Sequence, residues 1–200
     1  MPVLGITGGI ATGKTLFTGC LASLFQGLRV FDSDARAREL TASDPAIIGA
    51  IRDHFGPDVF DASGVLQRPA LRAIVFADPA ERRALEAILH PAIRRSWQDL
   101  ARTIREESGA PWLAVDIPLL FETSAETQFD KIIVVACSAL TQRRRLEDRR
   151  KLPPGLADSM IASQLPLATK IDRADFVIWN DGLPEALESQ ARLLALRLFS

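Results

Sequence analysis

The octapeptide Gly8-Gly9-Ile10-Ala11-Thr12-Gly13-Lys14-Thr15 constrains this chain more than any other stretch. It fits G-x-x-x-x-G-K-[ST]. It follows the short apolar run Val3-Leu4-Gly5-Ile6 and opens a segment with helical spacing from Lys14 to Phe25, with Leu16, Cys20, Leu21 and Leu24 on one face. A backbone that wraps a phosphate must aim several N–H groups inward, and side chains at the glycine positions would obstruct it. The following helix adds its positive N-terminal end. Lys14 offers a mobile cation for β- and γ-phosphates, and Thr15 a hydroxyl ligand for Mg2+. The competing reading is a glycine-rich turn with a solvated lysine; the position between strand and helix favours phosphate binding.

The rest of the chain supplies a sheet for this loop to sit on. Arg29-Val30-Phe31 reads as a second strand, ending at Asp32-Ser33-Asp34. Trp112 to Asp116 and Ile132 to Ala136 are continuous apolar runs of the kind buried on both faces of a parallel sheet, and Phe176 to Trp179 is a fifth candidate. Strands alternating with helices predict an α/β fold with a mainly parallel sheet. Between strands two and three the pattern is helical from Ala35 to Ser108, which reads as an inserted lobe. Within it Asp44-Pro45 starts a helix, Gly56-Pro57 stops it, Asp61 to Gly64 is a turn, and Pro69 to Phe76 is a short helix. Asp78-Pro79-Ala80-Glu81 resembles a capping box. A kink or break is expected at His90-Pro91, because proline disfavours helical angles in the residue before it. Ser138 to Arg150 is a basic helix, Pro153-Pro154 a break, about Leu156 to Leu165 a helix, and Pro184 to Phe199 a closing amphipathic one.

Composition limits the function classes. The chain has 200 residues, 48% apolar and 24% charged, with 24 Lys+Arg against 25 Asp+Glu and a net charge of −1. These are values of a globular domain, and near-neutrality argues against a polyanion-coating or polybasic membrane protein. Cys20 and Cys137 lie far apart in apolar sequence with no metal-ligand spacing, and read as buried thiols. No apolar run approaches the roughly 18 residues of a membrane span, and no signal peptide is visible, so a reducing, cytoplasmic setting is expected.

Several further groups carry chemistry. Asp116 ends the third strand, where a carboxylate beside a phosphate loop approaches the metal, directly or through water; otherwise it merely ends a strand. Asp32 and Asp34 lie beyond the second strand, at the edge where ligands of open α/β sheets bind. One of them could take a proton from an attacking hydroxyl, or Asp34 could only cap a helix. Residues 142–151 hold six bases and two acids, with Gln142, Arg145 and Arg149 on one face. A cationic lid, a solvated face and a nucleic-acid patch are the readings, the last disfavoured by the lack of interleaved aromatics. His90 by itself reads as structural, and Trp97, Trp112 and Trp179 as packing residues.

Taken together these motifs resemble the dephospho-coenzyme A kinase family over nearly the whole chain. Gly5 to Thr15 is similar to the family's LTGGIGSGKS, and Phe31-Asp32-Ser33-Asp34 to its DxD after strand two. Leu66-Gln67-Arg68, Leu71 to Phe76, Asp78-Pro79 and Leu89-His90-Pro91 follow its substrate lobe. Asp116 to Glu122 matches DxPLLFE. Gln142, Arg145, Arg149, Gln164, Ala174-Asp175 and Asn180-Asp181-Gly182 follow its lid and adenine-side pattern. The chain departs from the pattern at Ala11-Thr12, where the family has Gly-Ser, at Trp179, where an acid is common, and at the stiff Pro153-Pro154 pair.

The resemblance implies a P-loop NTPase core with a five-stranded parallel sheet, an inserted helical acceptor lobe and a helical lid. The core is expected at 1–34, 109–138 and 171–200, the acceptor lobe at 35–108 and the lid at 139–170. It implies transfer of the ATP γ-phosphate to the ribose 3′-hydroxyl of dephospho-coenzyme A. Gly9, Ile10, Ala11, Thr12, Gly13, Lys14, Thr15, Leu16, Arg145, Arg149 and Asn180 would bind ATP. Lys14, Asp34 and Arg145 would be the catalytic residues; Asp34 would act as base or orient the hydroxyl, Arg145 and Arg149 would offset charge on the transferring phosphoryl, and Thr15 with Asp116 would serve Mg2+. Asp34, Arg68, Arg72, His90, Pro118, Leu119 and Leu120 would form the acceptor site. The expected partners are ATP and dephospho-coenzyme A, with no nucleic acid or membrane, and the chain a monomer or small homo-oligomer. The rivals are another small-molecule or nucleotide kinase of this fold and a GTP switch protein; the latter usually carries N-K-x-D, which does not occur here.

Overall fold

The computed structural model describes residues 2–25, 27–106, 112–150 and 154–199. The side chains of 149, 150, 154 and 199 fall outside that description. Five strands form one parallel sheet: β1 (Val3–Gly8), β2 (Leu28–Asp32), β3 (Trp112–Asp116), β4 (Lys131–Ala136) and β5 (Phe176–Trp179). Their order is β2-β3-β1-β4-β5, which puts β1 and its glycine loop in the centre.

Alternation along the strands sends side chains to opposite faces. On one face Leu4, Ile6, Ile133, Val135 and Ile178 pack with helix α1 (Lys14–Leu24) and the closing helix α9 (Pro184–Phe199), through Phe17, Leu21, Leu187, Ala191 and Leu194. The other face carries Ile132, Val134 and Ala136 against Leu120, Phe121 and Ala125, with Leu167 and Ile171 of α8 (Leu167–Asp172) alongside. Both faces are covered, which is why β4 reads as an unbroken apolar run. Edge strand β5 is closed by a side chain: the Gln190 amide accepts from the Trp179 N–H at 2.9 Å and donates to the Trp179 carbonyl at 2.8 Å. This occupies backbone groups that could otherwise recruit another strand.

Two compact units divide the chain, Met1–Asp32 with Ile104–Ser200, and Ser33–Thr103. The first holds the sheet and also α6 (Ala139–Arg150), α7 (Pro154–Ala162) and α8. The second is helical, with α2 (Ser33–Ser43), α3 (Pro45–Phe55), α4 (Arg68–Ala77) and most of α5 (Pro79–Glu106). Its own core is Leu40, Ile47, Ile51, Val59, Leu71 and Ala92. The side chain of Asp44 caps α3, accepting from the N–H groups of Ala46 and Ile47.

Three local expectations change. Helix α5 runs through Pro91 without the expected break. An interior proline costs about 3 kcal/mol, but Ile88, Leu89, Ala92 and Ile93 on both sides of it pack into the helical core and hold the element together. The capping box at α5 is only half made. Asp78 accepts from the Ala80 N–H at 2.6 Å, but its own N–H already donates to the Ile74 carbonyl. Glu81 turns instead to His54 Nε2, 2.9 Å away. Helix α2 begins at Ser33, so Asp34 stands in its first turn rather than at its cap. The Pro153-Pro154 break and Lys151 of the basic run lie outside the described residues, except that Pro154 opens α7. Among the described residues no helix is long and apolar enough to cross a membrane.

Candidate active site

The loop between β1 and α1 is held from outside by its carbonyls. Thr12 donates to the Gly9 carbonyl through both N–H (3.4 Å) and Oγ1 (2.9 Å). Gln142 Nε2 donates to the Ile10 carbonyl at 2.8 Å. Arg145 Nη1 reaches the carbonyls of Ala11 (3.2 Å) and Thr12 (3.1 Å), and Asn180 Nδ2 donates to Thr12 at 2.8 Å. The Gly13 carbonyl accepts from Phe17 N–H and starts α1. In a trans peptide C=O and N–H point opposite ways, so engaging successive carbonyls on the outside turns N–H groups toward the loop interior. The N–H groups of Ile10 and Thr12 are exceptions, since the first donates to Gln164 Oε1 at 2.7 Å and the second to the Gly9 carbonyl.

The start of α1 has no side-chain cap; Gly13 occupies the N-cap position with φ 97°. The first N–H groups of α1 therefore rely on something other than a capping side chain, which is what anion binding at a helix start uses. Lys14 is half-buried there, while Thr15 and Leu16 are exposed. Asp116 stands at the end of β3, in register with Ile6 of β1, and the next residue, Ile117, donates to the Ile6 carbonyl at 2.9 Å. Thr7 Oγ1 donates to the Pro118 carbonyl at 3.3 Å, tying the segment after β3 to the end of β1.

Several expected site residues acquire a different setting. The guanidinium of Arg145 bonds three carbonyls, those of Ala11, Thr12 and Asn180 (2.8 Å), and so braces the loop. Asn180 is buried with its amide on Thr12, its N–H on the Ala136 carbonyl and its own carbonyl under Arg145. These bonds set it behind the loop. Leu120, expected to line the acceptor site, is fully buried in the core; its Cδ1 would lie 2.7 Å from a Cβ on Gly5. Pro118 and Leu119 are partly exposed. Arg149 lies on α6, but its side chain is outside the described residues.

In the helical unit Asp34, Arg68 and Arg72 are exposed and His90 is half-buried. Arg68 Nη2 donates to the Arg38 carbonyl at 2.7 Å and lies 3.4 Å from Thr41 Oγ1, which braces it against α2. Burial pushes the His90 imidazole below its ordinary value; Glu86 opposes this and Arg94 adds to it.

The glutamines were legible only as pattern matches, without a role. Asp181 adds a tie of the same kind. It accepts from the Ser138 N–H at 2.9 Å and anchors the start of α6 next to Asn180. Burial would raise its carboxyl, but bonds from Ser138, Thr141 and Trp179 hold it below the ordinary value. Among the described residues no cluster of three or more His, Cys, Asp and Glu could hold a metal ion. Mg2+ on a nucleotide needs only one or two protein oxygens, and the hydroxyl of Thr15 and carboxylate of Asp116 are hard donors of the right kind.

The dephospho-CoA kinase family profile matches residues 2–185. The chain belongs to the dephospho-CoA kinase family. A dephospho-CoA kinase of Anaeromyxobacter dehalogenans is 43% identical over 98% of this chain and 92% of its own length. One from Synechococcus elongatus is 41% identical over 88% of this chain and 83% of its own. Among solved structures, a Thermus thermophilus protein superposes with a TM-score of 0.78 at 32% identity, covering 100% of this chain and 98% of that one. A Bacteroides thetaiotaomicron shikimate kinase has a TM-score of 0.58 at 14% identity, covering 98% of each chain, and shares the fold. The dephospho-CoA kinase relatives thus span nearly the whole chain, and the fold is that of P-loop kinases.

Proposed function

We infer that this chain phosphorylates the ribose 3′-hydroxyl of dephospho-coenzyme A with ATP, giving coenzyme A and ADP. The observation that carries this reading is the loop itself, Gly8 to Lys14, whose successive carbonyls are engaged from behind and whose helix start is uncapped. Such a cradle suits the oxygens of a polyphosphate, and membership of the kinase family supplies the reaction.

In the proposed mechanism the loop N–H groups and the start of α1 bind the phosphates of ATP. Lys14 offsets negative charge on the β- and γ-phosphates and keeps doing so as charge moves to the leaving oxygen. Asp34 accepts the proton of the attacking 3′-hydroxyl or orients it. Thr15 and Asp116 would hold Mg2+, Asp116 directly or through water; when bound, the ion supplies further charge neutralisation to the phosphates. Arg68, Arg72, His90, Pro118 and Leu119 are proposed for the acceptor, residues 35–108 as the acceptor lobe, and 139–170 as a lid. Arg149 is proposed as the lid cation toward ATP. A reducing, cytoplasmic setting suits the two unpaired thiols, Cys20 and Cys137.

The test is ADP release with a panel of acceptors. Dephospho-coenzyme A should stimulate ADP release well above buffer, while shikimate and nucleoside monophosphates should not. Stimulation by another acceptor and none by dephospho-coenzyme A would reject the assignment.

A further inference from the structure

Lys170 has no part in the chemistry described so far, although among the described residues it is the fully buried cation. It stands on α8, whose Leu167 and Ile171 pack under the sheet. A buried ammonium needs a counter-charge, and Glu122 provides it, with Oε1 2.7 Å from Lys170 Nζ. The same oxygen accepts from the Leu165 N–H at 3.0 Å, so the carboxylate is fixed from two sides. The ammonium also reaches the Gly8 carbonyl, 3.4 Å away in a buried setting. That distance is long for a hydrogen bond, but a charge facing a carbonyl dipole is attracted strongly where water is excluded.

Gly8 is the first residue of the phosphate loop. Its φ of 155°, and the Val135 carbonyl oxygen only 2.2 Å from where a Cβ would lie, restrict the position to glycine. The bare peptide can therefore turn easily, and something must choose its orientation. Peptide planarity links the Gly8 carbonyl to the Gly9 N–H on the opposite side. Holding the carbonyl toward Lys170 sends that N–H away from the lysine.

We propose that Lys170, charge-paired with Glu122, is a positioning residue that sets the first peptide of the loop for binding ATP phosphates. The proposal rests on reading the loop as the ATP site. It gives Glu122, the last residue of the Asp116–Glu122 segment, a reason to be acidic: the segment brings a metal-side carboxylate at one end and a counter-ion for Lys170 at the other.

The test compares the wild-type chain with the Lys170→Met/Glu122→Gln double variant, which leaves no unpaired buried charge and keeps an acceptor for the Leu165 N–H. ATP affinity is read by titration without acceptor, and folding by circular dichroism and thermal melting. The double variant should stay folded, bind ATP about tenfold more weakly or worse, and show a KM for dephospho-coenzyme A within about twofold of wild type. Lys170→Arg, which keeps the ion pair but not the compact ammonium, should weaken ATP binding with little change in melting temperature. A folded double variant with wild-type ATP affinity would overturn the proposal. Should the double variant not fold, Lys170→Arg decides, and wild-type ATP affinity there also overturns it. A wild-type chain that binds ATP without phosphorylating dephospho-coenzyme A refutes the functional reading alone, since the ATP comparison still stands. A wild-type chain that binds no ATP overturns both.

Discussion

The amide of Asn180 occupies the space that a side chain on Gly13 would need: Nδ2 lies 2.2 Å from the position of a Cβ there, while donating to the Thr12 carbonyl at 2.8 Å. Gly13 also has φ 97°, a region that L side chains disfavour. Gly13→Ala should therefore destabilise the protein by about 2–4 kcal/mol, combining backbone strain with a displaced buried hydrogen bond. Asn180→Ala frees the space, so the double variant should be less unstable than the sum of the singles by about 1 kcal/mol. Urea melts of the four proteins check this, and strict additivity would mean that the two residues do not compete.

Ala11 adopts φ 59°, left-handed for a residue with a side chain. This strain costs roughly 1–2 kcal/mol, and glycine's greater freedom in the unfolded chain takes back roughly 0.5–1 kcal/mol of any relief. Ala11→Gly should thus be neutral to stabilising by about 1 kcal/mol, raising Tm by at most about 4 °C. Ala11→Val should lower Tm, because a β-branched residue tolerates this angle least. Differential scanning calorimetry orders the three proteins.

Lys14→Ala should lower kcat by about 100-fold or more while the circular dichroism spectrum stays unchanged. Asp34→Asn should lower kcat by about 100-fold to 10,000-fold and leave ATP affinity within about twofold. Steady-state kinetics with ATP titrations separate the two effects. Unchanged kcat in Asp34→Asn would leave that carboxylate a first-turn residue of α2 and nothing more.

Cys137 is buried at the end of β4, and burial pushes its thiol up to about 11, Arg145 lowering it and Asp181 raising it further. At pH 8 the thiolate fraction is on the order of 0.001, so alkylation of the native protein should stop at the half-buried Cys20. Peptide mass mapping before and after urea should find Cys137 labelled only when the chain is unfolded.

Burial lowers the His90 imidazole below its ordinary value in the folded state, so the folded chain takes up this proton at a lower pH than the unfolded chain, which does so near pH 6.5. The unfolded state then binds more protons, so stability is full at neutral pH and falls as the pH drops through this range. His90→Gln should lose less stability than wild type between pH 7 and pH 5. Parallel curves from urea melts at each pH would remove His90 as the cause.

The inner strands β1, β3 and β4 were legible because sheet residues covered on both faces make continuous apolar runs, as in Ile132 to Ala136, while the half-exposed edge strands β2 and β5 showed as shorter runs. The glycine loop was legible because phosphate binding places narrow demands on a few neighbouring positions. The sheet order was not, since nothing local tells β1 to lie between β3 and β4. The outer brace of the loop was hidden for the same reason: Gln142 and Gln164 meet Ile10 across 132 and 154 residues of chain. Arg145 shows what a charge run does not tell: its guanidinium also binds three carbonyls at the loop's back, contacts made across the fold. Leu120 shows the limit of reading motifs as units; its neighbours Pro118 and Leu119 are partly exposed, while it turns into the core beneath Gly5. Pro91 shows a local rule overridden by packing on both sides.

The most direct test of the proposed reaction is 31P NMR of the product formed from ATP and dephospho-coenzyme A. A new phosphomonoester resonance on the ribose 3′-oxygen, appearing in step with ADP, is the expected result. ADP appearing with inorganic phosphate alone, or with phosphate at another position, would contradict it.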